Sequence, residues 1–283
     1  EKTHHNGKVW VVKINRPKSR NAVDGATAKQ LAAAFVNFER DQKACVAVLY
    51  GVGGNFCAGA DLKAVSEAMN DATKMNPLSP VPKIEPVNGA ILDESGPMGA
   101  SRLLLTKPVI AAVSGYAVAG GLELACWCDL RVADDTAVFG VFCRRFGVPL
   151  IDGGTVRLPL LIGVSRAMDM ILTGRAVDAQ EALSFGLANK VVSSTSSSTA
   201  SSSTSDPNVL TEAIKLAGEI SAFPQGCMRS DRLSVYNATG APLRAALSSE
   251  FQLGVAAVQK EGVDGAKRFA QGDGRHGTPR AKL

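Results

Sequence analysis

Histidine is scarce in this chain, with three residues in 283: His4, His5 and His276. All three lie near an end, so a central Ser-His-Asp or Cys-His catalytic arrangement has little to draw on. Aromatic residues make up only 5%, too few for base-stacking platforms, and the basic residues are scattered rather than striped. A nucleic-acid partner is therefore not expected. The net charge of +5 suits an anionic small ligand, though many ordinary proteins carry as much. Long apolar runs are missing too. Val109 to Val113 and its like are broken by Gly, Ser, Lys or Asp well short of the roughly 20 residues a bilayer demands, so no membrane association is expected, and no signal-peptide pattern opens the chain. The six cysteines (Cys45, Cys57, Cys126, Cys128, Cys143 and Cys227) lack the paired CxxC spacing of a zinc site. They read as reduced, buried thiols of an intracellular protein, with no metal implied.

What is present is an ordinary globular balance, 46% hydrophobic and 20% charged, alternating β-branched runs with helical patterns. Lys8 to Ile14 reads as a strand closed by a turn at Asn15-Arg16-Pro17. Leu31, Phe35 and Phe38 share one helical face, which predicts an amphipathic helix over 26–40. Cys45 to Tyr50 and Pro108 to Val113 are further strands running into glycine-rich turns. This order predicts an α/β fold with largely parallel strands. Residues 71–98 carry five prolines and little period, so a long surface excursion is expected there. Residues 193–205 are Ser or Thr except Ala200, so a loop is expected there as well. From Pro207 the pattern turns helical.

Three segments carry chemistry. Gly51-Val-Gly-Gly-Asn-Phe-Cys-Ala-Gly-Ala-Asp-Leu62 follows a strand, and its glycines let backbone N–H groups approach a ligand. A plain strand-to-helix turn with Asp61 as N-cap explains it equally. Val113 to Leu124 repeats the plan, with Glu123 in the first turn of a helix, where unpaired amides and the positive helix end lie. Glu123 is either a surface carboxylate favoured by that dipole or an acid or base beside a polarised carbonyl. In Phe139 to Thr155, Asp152 stands before a helix, as an N-cap or as a general base.

In order, Asn15-Arg16-Pro17 with Asn21-Ala22, Phe56-Cys-Ala-Gly-Ala-Asp61, Lys107 to Gly115, Gly120-Gly-Leu-Glu123, Asp129-Leu-Arg-Val-Ala133, Gly153-Gly-Thr-Val-Arg-Leu158 and Leu172-Thr-Gly-Arg175 resemble the blocks of the enoyl-CoA hydratase/isomerase (crotonase) superfamily. The resemblance implies a crotonase-like spiral of ββα units over residues 1–206, with the two insertions at about 71–98 and 193–205. It implies a helical C-terminal trimerisation region over 207–283 and assembly as a homotrimer or hexamer. The partner would be an acyl-CoA thioester, its carbonyl received by the N–H groups of Ala60 and Gly120 as an oxyanion hole. Ala58, Asp61, Leu62 and Lys63 would lie along the CoA moiety, with Arg20 and Ala22 on its other side. No cofactor is implied beyond coenzyme A, which is part of the substrate.

One position departs from that family. Its hydratases grip water between two glutamates; Glu123 matches the first, while the second falls at Cys143, a poor group for positioning water. Asp152 offers a replacement, since relatives of the isomerase and synthase kind resemble this chain in placing an aspartate in the same turn. Cys143 itself would be a nucleophile if Arg144 and Arg145 lowered its pKa, or a space-filling thiol. The expected function is hydration or double-bond isomerisation of an enoyl-CoA. The alternatives are acyl-CoA hydrolysis or decarboxylation on the same fold, or a non-catalytic acyl-CoA binder left by loss of the second glutamate. Ala281-Lys282-Leu283 is similar to a peroxisomal C-terminal address, so the expected compartment is the peroxisome or a related organelle, and otherwise the cytoplasm.

Overall fold

The structure is a computed structural model that describes residues 2–71, 96–195, 207–238 and 263–272, with Arg244 and Val255 besides. Most of the expected excursion at 71–98 and of the Ser/Thr tract at 193–205 lies outside the described residues, as does Ala281-Lys282-Leu283.

Nine strands are described: β1 (Lys2–His4), β2 (Val9–Ile14), β3 (Val46–Gly51), β4 (Val109–Val113), β5 (Tyr116–Val118), β6 (Leu130–Asp134), β7 (Val138–Gly140), β8 (Val177–Asp178) and β9 (Lys190–Val192). The helices among the described residues are α1 (Gly25–Arg40), α2 (Leu62–Asn70), α3 (Gly120–Trp127), α4 (Gly154–Ile162), α5 (Val164–Thr173), α6 (Ala179–Phe185), α7 (Asn208–Ala222), α8 (Gln225–Ala238) and α9 (Val263–Ala270). A main sheet has the order β1-β2-β3-β4-β6-β9, and a small sheet has the order β5-β7-β8. Only β1 pairs antiparallel in the main sheet; from β2 to β9 every pair is parallel, as the strand–helix alternation predicts.

The central strands are buried on both faces, which is why they read as unbroken apolar runs rather than alternating ones. Ile14, Ala47, Leu49, Ala111 and Val113 face a core closed by α1 and α3. Their neighbours Val9, Val11, Val46, Val48, Ile110 and Ala112 face Val209, Leu210, Ala213 and Ala217 of α7. The helical pattern after Pro207 thus begins as a layer of this chain's own core. The predicted α1 face holds, with Leu31, Phe35 and Phe38 buried, and Asp24 caps the helix by accepting from the Thr27 N–H.

Lys107, just before β4, closes the other end of α1. It is buried, and its Nζ donates to the carbonyls of Phe38, Glu39 and Asp41 at 2.9, 2.9 and 2.7 Å. Burial pushes its pKa down, against the pull of Glu39. Lys107→Met keeps the stem and removes the charge and its donors, taking a partner from the Phe38 and Glu39 carbonyls and the neighbouring cation from the buried Glu39 carboxylate, which keeps only its Thr106 bonds. A loss of about 3 kcal/mol is expected, read from the urea midpoint; an unchanged midpoint would show that water or a shifted side chain takes the carbonyls over.

Candidate active site

The site begins where the bends after β3 and β5 meet. The chain leaving β3 runs beside the chain entering β5, with the Phe56 N–H on Ser114 O and the Cys57 N–H on Tyr116 O, each 2.8 Å, and the Val118 N–H returning to Cys57 O at 3.1 Å. Close approach explains two glycines. A Cβ on Gly59, whose φ is +94°, would lie 2.8 Å from Ala119 Cβ and 3.0 Å from the Gly120 nitrogen. One on Gly121 would lie 2.0 Å from Cys57 O. Ala119 turns the chain from β5 into α3 at φ 54°, ψ −128°, a region that costs a non-glycine residue on the order of 1–3 kcal/mol. Its carbonyl takes the N–H groups of Leu122 and Glu123. Among the described residues, neither the Ala60 nor the Gly120 N–H makes a hydrogen bond. Both residues line one cavity of about 740 Å³.

Glu123 and Asp152 line that same cavity, and both are 2% exposed. Glu123 is therefore not the surface carboxylate of the simpler reading. Its Oε1 accepts the N–H groups of Asp152 and Gly154, each at 2.8 Å, at the start of α4. Asp152 is not an N-cap: Gly153 holds that place, without a side-chain cap. Instead Asp152 Oδ1 accepts the Met98 N–H at 2.9 Å and the Ser101 hydroxyl. Two buried arginines fix the turn, Arg102 donating to Ile151 O and Arg157 to Asp152 O.

Cys143 also lines the cavity, but it is no nucleophile in waiting. Burial pushes its thiol up to about 12, Glu123 adds to the push, and Arg144 opposes it without prevailing. A short helical turn over Phe142–Phe146 sends the arginines elsewhere: Arg144 Nε donates to Ile171 O, and Arg145 stacks 4.0 Å over the Phe142 ring. At pH 8 the thiolate fraction of such a group is on the order of 10⁻⁴. Of the six thiols only Cys227 is exposed. Ellman's reagent on the native protein is thus expected to give one fast thiol, abolished by Cys227→Ser; a second fast thiol would contradict the burial of Cys143.

Arg20, Ala22, Ala58, Asp61, Leu62 and Lys63 line the cavity as well. The Ala58 N–H donates to Arg20 O at 3.0 Å, the Val23 N–H to Gly59 O and the Asp61 N–H to Val23 O, so residues 20–24 and 58–61 run side by side. Arg16 clamps them, its guanidinium 2.9 Å from Asp24 and 3.0 Å from Asp61. Burial works against the Asp24 carboxylate, but the Thr27 bonds and Arg16 outweigh it and hold its pKa below the usual range. Asp61 also fills the expected capping role, accepting from Lys63 and Ala64 N–H groups at the start of α2. The buried Asn21 ties the loop down, donating to Val52 O and Asn55 O.

All eleven residues singled out from the sequence reach one cavity. Residues that went unforeseen share it: Arg16 and Lys18, Phe146 with Phe269 of α9 edge-on at 5.1 Å, and Met98. Met98 lies at the end of the segment expected to be a surface excursion, yet residues 96–98 are buried. Periodicity in α9 was the one available sign for Phe269; nothing local marks Met98.

An α/β spiral of this topology, with two glycine-rich bends and a buried carboxylate around one cleft, defines the crotonase fold. Comparison bears this out: residues 4–83 and 100–260 match the family model "Enoyl-CoA hydratase/isomerase", and the chain belongs to that family. An enoyl-CoA hydratase of Mycobacterium tuberculosis is 31% identical over 94% of this chain and 91% of its own length. A carnitinyl-CoA dehydratase of Proteus mirabilis is 37% identical over 67% of this chain, a span of 66% of that relative. A carnitinyl-CoA dehydratase structure from Mycobacterium avium superposes with a TM-score of 0.73, 27% identity and 93% coverage of both chains. No described helix is long and apolar enough to cross a membrane.

Proposed function

We propose that the protein acts on an enoyl-CoA thioester, adding or removing water across its double bond through an enolate. The observation that carries this is that Ala60 and Gly120, whose N–H groups make no hydrogen bond among the described residues, line one cavity together with Glu123 and Asp152. In this reading the thioester oxygen accepts from both amides, and negative charge that grows there as the enolate forms is met by donors already in place. The cavity wall formed by the paired stretches 20–24 and 58–63, with cationic Lys18, Arg20 and Lys63 beside it, takes the CoA moiety. Glu123 moves a proton at the reacting carbons and Asp152 serves as the second acid–base group, because a thiol as weakly acidic as Cys143 transfers none near neutral pH. In hydration, water's oxygen bonds to the β-carbon, one proton goes to the α-carbon, and the double bond becomes single. Coenzyme A arrives with the substrate, and the steps draw on no metal or redox group.

The Cys143 substitution favours a second reading, isomerisation of a 3-enoyl to a 2-enoyl thioester. That reaction lifts a proton from the α-carbon and returns one at the γ-carbon, without gripping water. Purified protein incubated with 2-enoyl- and 3-enoyl-CoA separates the two by product: the 3-hydroxyacyl thioester or the shifted double bond. Turnover of neither, or release of free CoA from a saturated acyl-CoA, would sink both. Assembly as a trimer or a dimer of trimers belongs to the same reading. Its support is an apolar ridge of exposed Leu160, Val164, Met168 and Leu172 along α4 and α5, and light scattering tests it.

A further inference from the structure

We propose that Met98 decides what the substrate's α-carbon can carry, admitting unbranched acyl thioesters and excluding those with an α-methyl branch. The inference rests on the thioester site proposed above and names its substrate class.

Met98 touches both working parts of that site. Its side chain lies against Gly120: a Cβ built there would stand 2.6 Å from the Met98 Sδ and 2.8 Å from its Cγ. Its backbone N–H donates to Asp152 Oδ1. The thioether therefore occupies space between the amide that receives the carbonyl oxygen and the carboxylate beside the reacting carbons. The α-carbon is bonded to that carbonyl, so a substituent on it projects into the same gap.

The residue has nowhere to retreat. Met98 is fully buried. The flanking turn is closed by reciprocal Gly96–Gly99 backbone bonds of 3.1 and 2.8 Å, and it is seated on α1, where a Cβ on Gly99 would lie 2.3 Å from Ala28 O. Ser101 donates to the same Asp152 oxygen and anchors the turn a second time. Methionine is pliable in itself, but here both ends of its backbone turn are fixed, so the cost of displacing it falls on the ligand.

Calorimetric titration with butanoyl-CoA and 2-methylbutanoyl-CoA tests this without relying on turnover. Wild-type protein is expected to bind the unbranched thioester about tenfold or more tightly, the usual worth of one ill-fitting methyl group. Met98→Ala should bring the ratio close to one by opening the gap, and Met98→Leu, of similar volume, should preserve it. Should the alanine variant fail to fold, Met98→Val shortens the side chain with less loss of packing and is expected to narrow the ratio. Equal affinities in wild type, or a ratio untouched by shortening Met98, would overturn the proposal while leaving the enoyl-CoA reading standing. Failure of wild type to bind either thioester would remove both.

Discussion

Glu123→Gln is expected to lower kcat for enoyl-CoA turnover by roughly 10²- to 10⁴-fold, the usual worth of one positioned acid–base group, with acyl-CoA affinity unchanged. The substitution is nearly isosteric. Glu123 Oε1 accepts from the Asp152 and Gly154 amides, and a glutamine carbonyl can accept both bonds in the same place. The turn before α4, and Asp152 with it, should stay where it is. What is lost is the capacity to take up and release a proton. Kinetics follow the thioester-conjugated double bond, and titration with a saturated acyl-CoA measures affinity. A variant retaining more than about a tenth of wild-type kcat would remove Glu123 from the proton-transfer role. One that lost affinity and rate together would make it a packing residue instead.

Glu123 and Asp152 were legible as residues and illegible as a geometry. Their places beside paired glycines drew attention to them, but the partners that define them are remote in sequence. Asp152 and Gly154 lie 29 and 31 residues from Glu123, and Met98 and Ser101 lie 54 and 51 residues from Asp152. No local pattern can report such contacts, so capping and dipole explanations, which use only neighbours, competed on equal terms. The open choice at Cys143 has the same origin. Adjacent arginines suggested a lowered thiol pKa, whereas a helical turn points them elsewhere and burial decides the sign. The strands fared better because their message is local: runs such as Val46–Gly51 are apolar at every position, as a strand covered on both faces must be. Residues 96–98 were hidden for another reason. The prolines around them spoke of irregular backbone and said nothing of burial, and these three residues are buried, with Pro97 and Met98 lining the cavity.

Gly121→Ala tests the convergence of the bends directly. The new Cβ would stand 2.0 Å from Cys57 O and 2.7 Å from Cys57 C, both backbone atoms that no rotamer change can move. Cys57 is held from both sides, donating to Tyr116 O and accepting from the Val118 N–H. Either that ladder breaks or α3 shifts away from it, and in both cases Gly120 separates from Ala60. Loss of one donor from a preorganised pair typically costs about 10²- to 10³-fold in kcat, and a fall of at least that size is expected. Overpacking should add about 1–3 kcal/mol of lost stability, so activity is measured well below the variant's melting temperature. Gly54→Ala supplies the control. Gly54 has a φ of +80° but nothing within 4 Å of a Cβ, so alanine there costs about 1 kcal/mol of backbone strain and leaves kcat intact. If the two variants lose activity only in proportion to stability, the amides are bystanders. If Gly121→Ala alone loses turnover while still folded, the spacing of two backbone N–H groups is what the surrounding glycines exist to hold.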